Sequence, residues 1–152
     1  MNKPAPALTF DRGTPGYDED SYGWAMHQAA LIRAGERSNL DWDNIAEEIE
    51  SMGKSEYRAA ESALRVVLVH LLKWEHQPVR RSRSWANSIR EHLERFDEIV
   101  SDNPSLRTRA DEMLVRAHRR ARFEASLETG LDMASFTEAP PSWDEIRAPR
   151  EF

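Results

Sequence analysis

The chain has 152 residues, a length typical of one domain with its own hydrophobic core. It contains no cysteine, which excludes disulfide bonds, thiolate zinc sites, cysteine-held iron–sulfur clusters and a cysteine nucleophile. Hydrophobic residues make up 39% of the chain and charged residues 32%, a composition that is polar but still able to fold.

Charge is unevenly distributed along the chain. The net charge of −6 divides into −6 for residues 1–57, +4 for residues 58–95 and −4 for residues 96–152. Acidic segments repel nucleic acid, so we do not expect the protein to bind it. The basic middle segment would attract either an acidic protein partner or an acidic arm of the same chain.

Membrane insertion and secretion are not expected from the sequence. No apolar run approaches the roughly 18 residues that a membrane span requires. Residues 1–10 lack the apolar stretch of a secretory signal. We therefore expect a soluble, cytoplasmic protein.

The first predicted helix follows a flexible leader, residues 1–16, which is rich in proline and glycine. This helix starts at Asp18 and ends at Gly35. Trp24 and Leu31 lie on the face opposite its main apolar stripe, and they require cover from another helix, from the leader or from a second subunit. A homo-oligomer through Trp24 and Leu31 is therefore one of the predicted arrangements. The main apolar stripe, which we expect to face the core, consists of Tyr22, Ala25, Met26, Ala29 and Ile32.

The second predicted helix is long and runs from 41 to about 76. Its apolar positions keep one helical phase through Gly53, which predicts a single helix that is weakened or kinked there, or that another backbone approaches closely. Pro78 ends the helix. The positions that share this phase are Trp42, Ile45, Ile49, Met52, Tyr57, Ala60, Leu64, Val67, Leu68, Leu71 and Trp74.

Two further helices follow a basic link. Ser82 or Ser84 caps the third helix, which runs to about Ser101. The fourth helix opens at Pro104 and ends at Gly130. Three alanines on the apolar face of this fourth helix would let a neighbouring helix lie close to it.

The segment after Gly130 is predicted to return to the helices. Ser142 begins a capping box, which predicts a short last helix, while Phe136 and Trp143 anchor the segment. No alternating strand pattern is present. These elements predict an all-α fold, an antiparallel bundle of four main helices with a short C-terminal helix, forming one domain over residues 17–152.

The sequence resembles the bacterial domain-of-unknown-function family 29 from about residue 17 to 146. The resemblance implies an all-helical bacterial protein, and it implies no catalytic residue. It is carried by Tyr17–Asp20, Trp24, Leu31–Gly35, Leu40–Trp42, Ile45–Gly53, Leu71–Trp74, Pro78, Arg81–Trp85, Ile89, Pro104–Leu106, Thr129–Gly130 and Phe136.

Motifs for metal, phosphate and nucleophile chemistry are absent from the sequence. None of the five histidines has a glutamate three residues before it, as a di-iron bundle site requires. The sequence also lacks a His-Glu-x-x-His motif, a phosphate-binding glycine loop and a serine nucleophile elbow. We therefore predict no metal site and no cofactor.

Four polar residues lie on or beside predicted apolar faces: Glu56, His92, Arg120 and Glu124. A buried charge without a partner is costly, so we predict that these residues form a buried polar network. One hypothesis is a pocket in which Glu56, His92 and Glu124 bind a metal or transfer a proton. The alternative, which we favour, is a structural network that fixes the register of the bundle.

Cationic residues and two tryptophans lie around the turn between the second and third helices. Arginine next to aromatic rings can hold a phosphate, an acidic peptide or a base. Alternatively, the tryptophans fill the end of the bundle while the arginines are solvated or pair with acidic residues. We call this group the basic turn: His70, Lys73, Trp74, Arg80, Arg81, Arg83 and Trp85.

The sequence does not specify a biochemical reaction. We predict a non-enzymatic protein-interaction or regulatory module, with Arg80 to Arg83 as its contact surface for an acidic partner. The alternative is a metal-binding or hydrolytic enzyme with a carboxylate and histidine site in the bundle core. Binding of nucleic acid through residues 58–95 is a weaker third hypothesis.

Overall fold

The computed structural model describes residues 15–150, and each regular element in that range is helical. Most of the predicted leader, residues 1–16, lies outside the described residues. Short 3-10 turns connect the helices, and no described segment forms a strand, so the predicted all-α class is confirmed. The helices are α1 (Ser21–Ala34), α2 (Trp42–His76), α3 (Arg83–Asp102), α4 (Ala110–Thr129) and α5 (Trp143–Arg147).

None of these helices, within residues 15–150, has the length and apolar character needed to cross a membrane. Helix α2 is continuous through Gly53, and nothing lies within 4 Å of the position that a Cβ atom would take there. Contacts nevertheless divide the chain into two compact units, Met1–Met52 and Gly53–Phe152. A single domain over residues 17–152 stays a prediction.

The helix ends follow local capping chemistry. Asp20, rather than the predicted Asp18, caps α1 and accepts a hydrogen bond of 2.8 Å from the amide three residues later. Ser82 caps α3, and Ser142 forms the predicted capping box at the start of α5. Helix α4 begins at Ala110 rather than Pro104, because the intervening turn adopts the tighter 3-10 form.

Two glycines end helices in the left-handed conformation. Gly35 follows α1 with φ of 76°, and Gly130 follows α4 with φ of 74°. Side chains with a Cβ atom rarely adopt this conformation, so glycine is the favoured residue at both positions.

In the first unit, the inward face of α1 is opposite to the one predicted. Trp24 and Gln28 are buried, whereas Tyr22, Met26 and Ile32 of the predicted core face are exposed. The predicted homo-oligomer contact through Trp24 therefore lacks an exposed tryptophan.

Asp41 explains why this face of α1 turns inward. Trp24 Nε1 donates a hydrogen bond of 3.1 Å to Asp41 Oδ2, and Gln28 Oε1 accepts one of 2.9 Å from the Asp41 amide. The ring of Tyr17 packs edge-on against Trp24 at 4.8 Å. Polar partners on the loop, rather than apolar area alone, decide which face of α1 is covered.

The apolar stripe of α2 is exposed over its first three turns. Trp42, Ile49 and Met52 are 58%, 64% and 71% exposed, so their predicted place in the core is wrong. Leu64 and Phe96, which we expected in the same core, are buried. Periodicity shows that a helix face is apolar, and it does not show that a neighbouring helix covers that face.

In the second unit, contacts fix the directions of the three long helical segments. Lys73, late in α2, lies over the ring of Trp85, early in α3, at 4.7 Å. Glu56, earlier in α2, accepts a hydrogen bond from Asn103, just after α3. The two helices are therefore antiparallel, as the predicted bundle requires. Between them and α4 lies one hydrophobic core that includes Leu64, Val67, Leu68, Ile89, Phe96, Met113, Leu114 and Ala121.

The chain after α4 packs onto this core as predicted. Phe136 is buried against the His76 ring at 4.8 Å. Trp143 stacks on Phe96 at 5.6 Å, and Ile146 is buried beside the same core. The predicted anchoring by Phe136 and Trp143 is confirmed.

His118 on α4 is buried beneath this returning segment. It lines a cavity of about 180 Å³ together with residues of α2 and of 137–145. Burial lowers the pKa of His118, and the nearby charge of Arg122 lowers it further, whereas a hydrogen bond with the Glu138 backbone acts in the opposite direction. The imidazole is therefore neutral in the folded protein at pH 7.

We predict that core leucines and surface leucines of the second unit differ strongly in their effect on stability. Leu68 is fully buried, so Leu68→Ala should lower the free energy of unfolding by about 2–5 kcal/mol. Leu127 is 70% exposed, so Leu127→Ala should change it by less than about 0.5 kcal/mol. Urea denaturation followed by circular dichroism measures both. Similar losses for the two variants would contradict the described core.

We also predict that His118 makes stability depend on pH. Its folded pKa lies below the ordinary 6.5, so the unfolded chain takes up the proton first as the pH falls. The contribution of the neutral imidazole should be complete above about pH 7 and decrease as the pH falls below 6.5. The difference in unfolding free energy between wild type and His118→Gln, measured by urea denaturation at pH 8 to 5, should shift accordingly. A difference independent of pH would contradict this prediction.

Candidate functional site

The site is built where α2 and α4 pack side by side in the second unit. Tyr57 Oη donates a hydrogen bond of 3.2 Å to Glu112 Oε1, and Lys73 Nζ donates one of 2.6 Å to Glu128 Oε2. The two residues of each pair are 55 positions apart in the sequence, and the pair that lies later in α2 also lies later in α4. The two helices therefore run parallel with a fixed register.

Buried alanines accompany this packing on both helices. Ala60 of α2 and Ala117, Ala121 and Ala125 of α4 are completely buried in the core. Small side chains let helices approach closely. Of the three alanines predicted on the apolar face of α4, Ala117 and Ala121 are confirmed as buried, and Ala110 is partly buried against the same core.

At the end of the contact formed by Tyr57 and Glu112, neighbouring groups shift the pKa values of both side chains. Burial, followed by the hydrogen bond to Glu112, raises the pKa of the Tyr57 hydroxyl. The hydrogen bond from Arg109 holds the pKa of the Glu112 carboxyl below its usual value. At neutral pH the phenol is therefore a donor and the carboxylate a charged acceptor.

An arginine-lined groove of about 870 Å³ opens on the outer side of this contact. Five of its lining residues are arginines and two are glutamates, so the groove carries an excess of positive charge. Its other lining residues include exposed apolar side chains of α4. We call this feature the arginine groove, and it is lined by Arg58, Glu61, Ser62, Arg65, Arg116, Arg119, Arg120, Phe123, Glu124, Leu127 and Met133.

Glu61 is the buried acid of the groove. Its side chain is only 6% exposed, and its Oε2 and Oε1 atoms lie 3.4 Å from Arg116 Nε and 3.6 Å from Arg120 Nη1. Oε1 has no hydrogen-bond partner among the described residues. The carboxylate therefore holds two arginines over the groove by charge, at distances longer than a good hydrogen bond.

The remaining charges of the groove divide into paired and unpaired arginines. Arg65 forms an ion pair with Glu124 across the helices. Arg58 and Arg119 are exposed, and neither forms an ion pair with any residue between 15 and 150. These two guanidinium groups are available to an anionic ligand.

Two members of the predicted polar network belong to the groove. Arg120 pairs with Glu61, and Glu124 pairs with Arg65. Sequence reasoning missed Glu61, although it lies four residues after Tyr57 and seven before Leu68, on the edge of the same apolar face.

The other two members, Glu56 and His92, lie apart from the groove. Glu56 is exposed rather than buried, and it accepts a hydrogen bond of 3.4 Å from Asn103 Nδ2. It lies one helical turn before Ala60, the first buried residue of α2, which explains its exposure. His92 Nδ1 lies 2.9 Å from the carbonyl oxygen of Ser88 in its own helix. The four predicted residues therefore do not form one buried network.

Several side chains of the basic turn contact other residues of the same turn. Arg81 donates a hydrogen bond of 2.8 Å to the Trp74 carbonyl oxygen and lies over the Trp74 ring at 5.1 Å. Lys73 lies over Trp85 and pairs with Glu128, and His70 Nδ1 lies 3.0 Å from a carbonyl oxygen of its own helix. Two members are exposed, namely Arg80 and Arg83. Binding of a partner by this turn stays a prediction.

Ligands for a metal do not converge in the described part of the chain. No three histidine, aspartate or glutamate side chains between residues 15 and 150 lie close enough together to hold an ion. The side chains that do converge are guanidinium groups, which recognise carboxylates and phosphates.

Comparison with known proteins agrees with the resemblance seen in the sequence. The family described as Domain of unknown function DUF29 matches residues 17–148, and the chain therefore belongs to this family. No curated protein and no solved structure is similar enough to the chain to count as a match.

Proposed function

We propose that this member of the DUF29 family is a non-enzymatic protein-interaction module that binds an acidic segment of a partner in the arginine groove. The observation that carries the proposal is the pair of exposed arginines, Arg58 and Arg119, which have no ion pair with any described residue. Arginine is enriched at protein interfaces because its planar guanidinium binds carboxylates with two hydrogen bonds.

Apolar side chains in the same groove support a protein partner. Phe123 and Leu127 are 59% and 70% exposed and lie one helical turn apart on α4. Charges at an interface mainly set specificity and association rate, whereas buried apolar anchors supply much of the affinity. A partner with both carboxylates and apolar side chains would use both features of the groove.

The arginine groove supports this proposal better than the basic turn does. In the turn, Arg81 and Lys73 already bind the tryptophans beside them. Arg80 and Arg83 stay exposed, and they provide a matched comparison with Arg58 and Arg119. No observation favours the alternative of a metal-binding or hydrolytic enzyme. A bacterial and cytoplasmic setting stays a prediction from composition and from the family resemblance.

We predict that the arginine groove, rather than the basic turn, retains partners. Full-length protein would be used for affinity purification from the native cell with quantitative mass spectrometry. Arg58→Ala with Arg119→Ala should reduce the recovery of acidic partners about tenfold, because each lost contact weakens binding by a fraction of a kilocalorie or more. The matched control, Arg80→Ala with Arg83→Ala, removes the same charge and should leave recovery unchanged.

Two other outcomes of this experiment would contradict the proposal. Loss of partners from the control variant alone would move the contact surface to the basic turn. Wild-type protein that recovers no partner would contradict an interaction role.

A further inference from the structure

A second exposed feature of the molecule complements the arginine groove. Along the first three turns of α2, apolar residues recur at helical spacing, and three of them are more than half exposed. Soluble proteins rarely leave a contiguous apolar face uncovered. We call this apolar face the acidic stripe, because the segment that carries it is acidic. Its apolar residues are Trp42, Ile45, Ile49 and Met52.

The segment of α2 that carries the acidic stripe is rich in carboxylates. Residues 41–53 contain five aspartates and glutamates and no lysine or arginine. Glu48 lies three residues after Ile45 and four before Met52, so it borders the apolar face directly. Glu48 Oε1 accepts a hydrogen bond from the Tyr17 hydroxyl, and this contact raises the pKa of Tyr17 to about 12.

The acidic stripe and the arginine groove match in chemistry and in length. The stripe spans eleven residues, or roughly 15 Å of helix from first to last, and the α4 wall of the groove from Arg116 to Leu127 spans about 16 Å. The stripe offers apolar side chains bordered by carboxylates, and the groove offers Phe123 and Leu127 beside an excess of arginine.

We propose that the acidic stripe of one copy of this chain docks in the arginine groove of a second copy. The contact is a helix lying in a groove, and when it is reciprocated it closes a two-fold dimer. This inference rests on the proposed function, since it names a second copy as one partner of the groove.

Charge decides against the two alternatives in which like faces meet. A stripe packed on a stripe would bring two acidic segments together, and a groove packed on a groove would bring ten arginines together. Like charges in an interface are repulsive, whereas the pairing of stripe with groove brings opposite charges together. The contact should therefore weaken as the salt concentration rises.

The test is sedimentation velocity of the full-length chain at low and high salt, with one variant for each face. Arg58→Glu with Arg119→Glu reverses the charge of the groove, and Ile49→Arg places a cation in the stripe. The wild type should be a dimer at low salt. Each variant alone should be a monomer, with self-association weakened at least about a hundredfold.

Mixing the two variants tests which faces meet. The groove variant keeps an intact stripe and the stripe variant keeps an intact groove, so the mixture should form a one-to-one complex through a single contact. At the same total concentration each variant alone should remain monomeric. Matched controls are Val115→Arg, an exposed apolar residue of α4, and Arg95→Glu with Arg107→Glu on the surface, and both should leave the wild-type dimer unchanged.

Specific results would overturn the inference. A wild type that stays monomeric at all concentrations, a groove variant that still dimerises, or a mixture that remains monomeric would each do so. If circular dichroism shows that a variant is unfolded, Arg58→Gln with Arg119→Gln and Ile49→Gln replace the harsher substitutions. A monomeric wild type that loses its acidic partners through Arg58→Ala with Arg119→Ala would refute self-association and keep the proposed function.

Discussion

The parallel packing of α2 against α4 is the constraint on which the described site depends. Buried alanines on both helices accompany the close contact, and the recurring separation of 55 residues fixes its register. In this register Glu61 faces the arginines of α4, and Arg65 faces Glu124. A shift of one helical turn would separate each of these pairs by about 5 Å and would remove the groove as described.

The proposed function follows from the difference between the two sides of this contact. The inner side is apolar and supplies the stability of the second unit, while the outer side carries the arginine groove, whose lining includes five arginines and the buried carboxylate of Glu61. Glu61 holds Arg116 and Arg120 in place, and Arg58 and Arg119 remain available for a partner. A surface with spare guanidinium groups and exposed apolar side chains has the chemistry of a binding module. The acidic stripe provides the opposite chemistry within the same chain.

The sequence predicted the helices and most of their ends, because capping and helical periodicity are local properties. It failed where burial depends on distant partners. Trp24 and Gln28 turn inward through hydrogen bonds to Asp41, which no periodicity in α1 reveals. Trp42 and Ile49 share the phase of the core and are nevertheless exposed. In the site, Arg120 and Glu124 were predicted as polar partners, but their pairing with α2 depends on the helix register.

The most direct test of this account measures the register of α2 and α4. The chain has no cysteine, so two introduced cysteines form a unique pair for a short bifunctional thiol reagent. Arg65→Cys with Glu124→Cys should cross-link rapidly within one chain, because these side chains meet across the helices. Arg65→Cys with Glu112→Cys should not, because Glu112 lies twelve residues, or about 18 Å, from Glu124 along α4. Preferential cross-linking of the second pair would contradict the parallel register and the groove built on it.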